Sequence, residues 1–501
     1  MTGDDVRPDE GPVPVGIDPA QMATCLSVFA ALEALPPDHP DVLRVQRATA
    51  KLYKTVKLRR RAQRRDAVLA ADRAVTAATA TAAPGRIDDE TRGIPLASTA
   101  TGATAGTLRK PRACYICKER YREVDAFYHQ LCPPCAKLNH ERRDARTDLG
   151  GRRALLTGGR AKIGMYIALR LLRDGAHTTI TTRFPQDAAR RFAGMPDSGQ
   201  WLHRLRIVGI DLRDPAQVIA LADSVGGQGP LDILINNAAQ TVRRTPGAYA
   251  QLVAAESAPL PDGPLPEMVS FSSVAVGRSA PVTAIAAAGA VQHQPQPAGT
   301  PPHTLTPQAL TALALTSGSA SLDRIASATA IDAGGLVPDL EPVNSWVQRV
   351  HEVDPVELLE VQLCNTIAPF ILVSRLRPAM AAASARRKYV VNVSAMEGQF
   401  SRGYKGAGHP HTNMAKAALN MLTRTSAREM LTDGILMTSV DTGWITDERP
   451  HPTKMRLADE GFHAPLDLVD GAARVYDPIV RGEQGEDVYG CFLKDYAPSA
   501  W

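Results

Sequence analysis

Aromatic side chains are scarce, at 5% of the chain, and the formal net charge of +5 is small for 501 residues. No apolar run approaches the ~20 residues that a bilayer-spanning helix requires, so no membrane segment is expected. The opening residues, MTGDDVRPDE, are acidic and polar and lack the basic and apolar regions of a secretory signal. Cysteine is sparse too. Of seven cysteines, four cluster, while Cys25, Cys364 and Cys491 stand singly in apolar surroundings. That usage speaks against a disulfide framework and fits a reducing, cytoplasmic setting. No internal repeat is evident.

Carboxylates are short in one stretch. Between Asp41 and Ala80 eleven Lys or Arg face three Asp, a local +8 that leaves the remainder slightly acidic. Only this N-terminal part invites an anionic partner. It reads either as the solvated basic face of a helical hairpin or as an arm for nucleic acid or an acidic protein. The absence of interleaved aromatics disfavours nucleic acid.

Along the chain, residues 1–16 read as a disordered tail. Residues 17–80 read as the basic helical hairpin, with one helix over Asp18–Leu35 capped by Asp18 and a second from Pro40 to Ala80 carrying an apolar stripe of Val45, Ala48, Leu52 and Val56. An Ala-, Thr- and Gly-rich linker is expected over 81–110. Residues 111–148 then carry Cys114, Cys117, Cys132 and Cys135, two C-x2-C knuckles with fourteen residues between Cys117 and Cys132. Four soft ligands on two knuckles suit one closed tetrahedral zinc site, structural rather than catalytic because no position stays open. His129 could replace a cysteine in that shell.

From residue 149 onward the pattern alternates buried strand and helix, which predicts an α/β fold with a doubly wound parallel sheet of Rossmann type. Its key stretch is ALLTGGRAKIG, Ala154 to Gly164: a strand, a Gly-rich turn and a helix start. Such a turn aims backbone N–H groups and the positive helix end at a phosphate. Further strands are expected over His177–Thr182, Leu205–Asp211 and Leu231–Asn237. Between Asn237 and Asn365 an Ala-, Pro-, Ser- and Thr-rich insertion covers about 243–342. It is expected to be either a semi-disordered excursion or a lid or interaction arm.

These residues resemble the short-chain dehydrogenase/reductase family. TGGRAKIG is similar to its TGxxxGxG turn, Asp211, followed by Leu212, to its adenine-contacting acidic residue, and Asn236–Ala239 to its NNAG strand end. Asn365, the strand Tyr389–Ser394, Lys416 and the run Gly443–Thr446 continue the likeness, over roughly 150–500. The resemblance implies a cofactor site of Thr157, Gly158, Arg160, Lys162, Ile163, Gly164, Arg183, Asp211, Leu212, Asn237, Ala238, Lys416 and Thr446. Lys162 stands where the family has glycine. Arg183, where an NAD binder carries an acid, favours NADP, with NAD possible.

The implied chemistry is hydride transfer between NADP(H) and a carbonyl or alcohol, with Asn365 and Lys416 as catalytic residues. The family tyrosine falls on Thr412, whose hydroxyl is far too weak an acid. The family serine falls near Ser394, with Ala395 in the usual place. Tyr404 and His411, on a Gly-rich loop, are candidate replacements. The reading is thus an oxidoreductase with a nonstandard proton donor. The alternative is a catalytically silent NADP(H) sensor or scaffold that recruits a protein partner through the zinc module, the insertion or the basic helix. Homo-oligomerisation through the helices of Asp354–Met380 and Lys416 is expected. The substrate has no signature in the sequence.

Overall fold

A computed structural model describes residues 16–83, 86, 96–271, 330–446 and 448–501. The expected tail and the middle of the insertion lie outside the described residues. The chain divides into two compact units, Met1–Ala71 and Asp72–Trp501.

The first unit holds α1 (Pro19–Glu33) and most of α2 (Pro40–Ala77). Asp18 caps α1 as expected, its carboxylate accepting from the Ala20 N–H at 3.1 Å. The apolar stripe of α2 is not buried. Neither helix buries an apolar side chain, and Leu52 is 63% exposed.

The second unit begins with the end of α2 and a 3-10 turn, Ala80–Ala82. Next come β1 (Thr104–Ala113), β2 (Arg120–Asp125) and α3 (Pro133–Asp144). β1 and β2 pair antiparallel. The expected linker therefore ends sooner than residue 110, because the Asp72 carboxylate and the β2 ladder hold Thr104–Lys110 as strand.

The Rossmann-type unit follows in chain order: β3 (Arg153–Leu156), α4 (Lys162–Arg173), β4 (His177–Thr182), α5 (Pro185–Ala193), β5 (Leu205–Gly209), α6 (Pro215–Gly227) and β6 (Ile233–Asn236). The insertion supplies α7 (Ala250–Glu256) and β7 (Glu267–Ser270). Then come α8 (Pro355–Gln362), α9 (Ala368–Ala381), β8 (Lys388–Ser394), α10 (Pro410–Met430), β9 (Ile435–Asp441), α11 (His451–Asp459), α12 (Leu468–Glu483), β10 (Phe492–Lys494) and β11 (Ala497–Ser499).

Nine strands form one sheet in the order β11-β10-β9-β8-β6-β3-β4-β5-β7. All neighbours are parallel except β10 and β11. Strand order reverses at β3, between β4 and β6. In such sheets ligands bind in the crevice beyond the carboxyl ends of the strands at this reversal. α4 and α12 cover one face through Ile167, Leu171, Val475 and Ile479; α6 and α9 cover the other through Leu221, Val225, Leu372 and Leu376. A doubly wound α/β sheet thus forms as the alternation predicted. In the described part of the insertion, Glu267–Ser270 adds an edge strand beside β5.

A five-residue π-turn, Leu363–Ile367, joins α8 to α9. The resulting helix, Pro355–Ala381, is long and apolar enough to cross a membrane by length and composition, contrary to the sequence expectation. Val361, Leu372, Leu376 and Met380 are buried, the last three in the core against the sheet, whereas Leu359 and Phe370 are exposed.

After β8 the chain presses on α10. A Cβ at Gly398 would lie 2.6 Å from the Lys416 carbonyl carbon, a backbone atom that cannot swing aside. Gly398→Ala is expected to destabilise the protein by about 2 kcal/mol, read as a lower urea midpoint with an unchanged m-value.

Candidate active site

The Gly-rich turn after β3 is held from β6. The Thr157 hydroxyl oxygen accepts from the backbone N–H groups of Asn237 and Ala238, both at 3.0 Å. The Asn237 amide donates back to the carbonyls of Thr157 and Gly158 at 3.0 and 3.1 Å. Gly158 has φ +71°, and a Cβ there would meet the Ala238 Cα at 2.9 Å. At Gly164 a Cβ would fall 1.9 Å from the Gly158 carbonyl oxygen, so α4 can start this close to the turn only as glycine. Lys162 takes φ +53°, the left-handed backbone for which glycine is the usual choice.

The positive charge beside this turn is partly neutralised. Arg160 donates to Asp187 at 2.5 Å and to the Gly334 carbonyl at 2.7 Å. Burial works against the Asp187 charge, but Arg191 and Arg160 hold its carboxyl down at about 2. Asp211 is likewise engaged, receiving Arg213 at 2.6 Å, and Leu212 is buried in the core beside it.

Arg183 differs. It sits exposed at the end of β4, its guanidinium 5.6 Å from the Phe184 ring centre and 5.2 Å from that of Tyr249. The two rings stack at 6.1 Å. Among the described residues Arg183 makes no ion pair.

At the carboxyl edge of β8 and β9 the catalytic candidates separate. Lys416 is buried on α10 and donates to the Val393 carbonyl at 2.8 Å. Burial pushes its ammonium down to about 8, against the opposing pull of Glu397, Cys364 and Asp441. Thr412, one turn earlier on the same helix face, is buried and its hydroxyl has no partner. His411 is buried with both ring nitrogens unpartnered. Burial holds its pKa below the usual value, helped by His409 and opposed by Glu357. Tyr404 is 76% exposed.

The Ser394 hydroxyl donates to the Lys416 carbonyl at 3.3 Å, toward the α10 backbone. Asn365 lies in the π-turn and exchanges two bonds with the Gln240 backbone, at 2.7 and 2.8 Å. π-turns of this kind recur at functional sites. Thr446 donates to Glu448 at 3.3 Å.

Two participants escaped the sequence reading. Gln240, which anchors Asn365, makes this contact through its backbone and so leaves no trace in residue type. Asp441 ends β9 opposite Ser394; burial raises its carboxyl to about 6, with the Gly443 N–H opposing. Its burial depends on long-range packing and leaves no trace in residue type.

Residues 152–254 match the family model for short chain dehydrogenases. That stretch, the first half of the Rossmann-type unit, is what this chain shares with short chain dehydrogenases. A mimivirus relative from Acanthamoeba polyphaga mimivirus, the uncharacterized protein R665, is 29% identical over 382 residues, 74% of this chain and 71% of that one. A short-chain type dehydrogenase/reductase of Picea abies is 36% identical over 104 residues, 20% of this chain and 38% of its own length. The NADPH-bound carbonyl reductase from chicken fatty liver aligns with 70% of this chain and 100% of its own at 17% identity and a TM-score of 0.41.

Among the candidate site residues, Lys416 carries a pH signature. Its folded pKa of about 8 lies below the 10.5 of an unhindered lysine, so between those values the unfolded chain binds the extra proton. Stability therefore rises with pH in that window. Relative to a Lys416→Met variant, the wild type is expected to gain on the order of 2 kcal/mol between pH 8 and pH 10, measured by urea denaturation at both values.

Proposed function

We propose that this chain is an NADP(H)-dependent oxidoreductase acting on a carbonyl/alcohol pair, with Lys416 as the proton donor in place of the family tyrosine. The observation that carries this reading is the Lys416 ammonium, buried at the carboxyl edge of the sheet with a pKa lowered to about 8. A general acid works best when its pKa lies near the working pH. Burial brings this lysine there, while the exposed Tyr404 phenol stays outside.

The residues present fit the cofactor. The left-handed Gly158 and the close approach at Gly164 leave a bare backbone cradle, and unpartnered buried groups at Thr412 and His411 lie along α10. Arg183 would hold a 2′-phosphate, with Phe184 and Tyr249 offering flat apolar surface beside it. Asp211, already neutralised by Arg213, would contribute little. NADP(H), when bound, supplies or takes up the hydride.

Lys416 gives its proton to the carbonyl oxygen during reduction and takes it back during alcohol oxidation. The Thr412 hydroxyl orients that oxygen without ionising. Asn365, fixed through Gln240, holds the helix from which the site is built. The four cysteine sulfurs, all within 4.8 Å of one another, would bind one structural zinc ion.

The silent NADP(H)-binding reading keeps one specific support: the family's tyrosine place is Thr412, and the Ser394 hydroxyl is turned to the Lys416 carbonyl. Turnover decides between the two. NADPH titration by calorimetry, followed by NADPH oxidation across a carbonyl panel, is expected to show binding with turnover that falls above pH ~8 and is lost in Lys416→Met. Binding without turnover on any compound favours the sensor, and absence of NADPH binding overturns both.

Cofactor preference provides a separate check. Arg183→Ala is expected to weaken NADPH binding by at least about tenfold, since a charge-assisted phosphate bond contributes roughly 1.5–3 kcal/mol. NADH binding should change little in the same titration.

A further inference from the structure

The four-cysteine module and the dehydrogenase unit share one apolar core. Leu108, Val124, Leu131, Cys114 and Cys132 pack with Ile445 and Leu466, and Ile163 of the first turn of α4 joins them. Ionic contacts close the same seam. Arg143 of α3 meets Asp467 at 2.6 Å and Asp470 at 2.9 Å, and the Tyr128 hydroxyl donates to Asp470 at 2.6 Å. This face of the module is consequently filled by the chain itself and is closed to a recruited partner.

One contact crosses the seam directly into the edge where ligands bind. Tyr115 lies between the two cysteines of the first knuckle, Cys114 and Cys117. Its backbone N–H donates to the Gln130 carbonyl at 2.8 Å, which ties it to the segment leading to Cys132. Its hydroxyl oxygen accepts the Trp444 backbone N–H at 2.9 Å. Trp444 follows the turn that leaves β9, where the Asp441 carboxylate accepts from the Gly443 N–H at 3.0 Å and Gly443 holds φ +79°. That segment, Asp441–Thr446, is irregular backbone at the carboxyl end of β9. Two of its backbone N–H groups are held by side-chain oxygens, one from its own first residue and one from the metal knuckle.

We propose that Tyr115 is a positioning residue: metal bound by the four thiolates fixes the knuckle, and Tyr115 transmits that order to the Asp441–Thr446 segment through the Trp444 amide. The cofactor-binding part of this inference rests on the proposed NADP(H) reading, whereas the ordering of the segment does not. The module is then a component of the dehydrogenase site.

Hydrogen exchange read by mass spectrometry on the full-length, zinc-loaded protein tests it. Tyr115→Phe keeps the ring and removes the acceptor. It should leave the zinc content and melting temperature unchanged and speed exchange in the Asp441–Thr446 peptide by about five- to tenfold, with the β8 peptide unaffected. Stripping zinc with a chelator should speed the same peptide. NADPH affinity should fall by a similar factor, with KM for NADPH raised and kcat held. Unchanged exchange in Tyr115→Phe overturns the proposal, whatever the chelated protein does. Faster exchange with no NADPH binding even in the wild type supports the ordering role and overturns the cofactor reading instead.

Discussion

The candidate site depends on keeping one ammonium group out of water. Lys416 lies under the carboxyl ends of β8 and β9 and has a single described bond, to the Val393 carbonyl. Desolvating a charge is costly unless partners compensate, and here Glu397, Cys364 and Asp441 compensate only in part. The shortfall is what lowers the lysine toward neutrality. The surrounding packing exists on those terms: Gly398 has no side chain because β8's exit must press on the backbone of residue 416, and Ser394 caps the same carbonyl. A tuned lysine can take on the proton transfer that Thr412 cannot perform.

Much of the fold was legible because it is encoded locally. His177–Thr182 reads as a β-branched run and is β4 to the residue; Asp18 and Pro19 mark the start of α1. The Tyr389–Ser394 run expected as a strand lies within β8, which pairs with β6 and β9. What remained hidden depends on long-range partners. Nothing in residue type tells that Arg160 is held by Asp187, that Asp211 is held by Arg213, or that the stripe on α2 faces solvent. Tyr404 and His411 look equivalent in sequence, yet one is exposed and the other buried, because only His411 falls within the first turn of α10.

The structure also shows how a Rossmann-type scaffold absorbs additions. The insertion departs after β6, adds an edge strand, and returns so that the Ala333 and Gly334 carbonyls receive Arg191 and Arg160. The cysteine module enters from the other side and meets the chain near α4, α12 and the exit of β9. Both additions touch segments that flank the crevice.

The most direct measurement is the titration of Lys416 itself, followed by NMR on protein labelled at lysine Cε, with Lys416→Met to assign the resonance. The account predicts a midpoint near 8. A midpoint at the ordinary lysine value of 10.5 would mean that the ammonium is solvated, and would contradict its role as the proton donor.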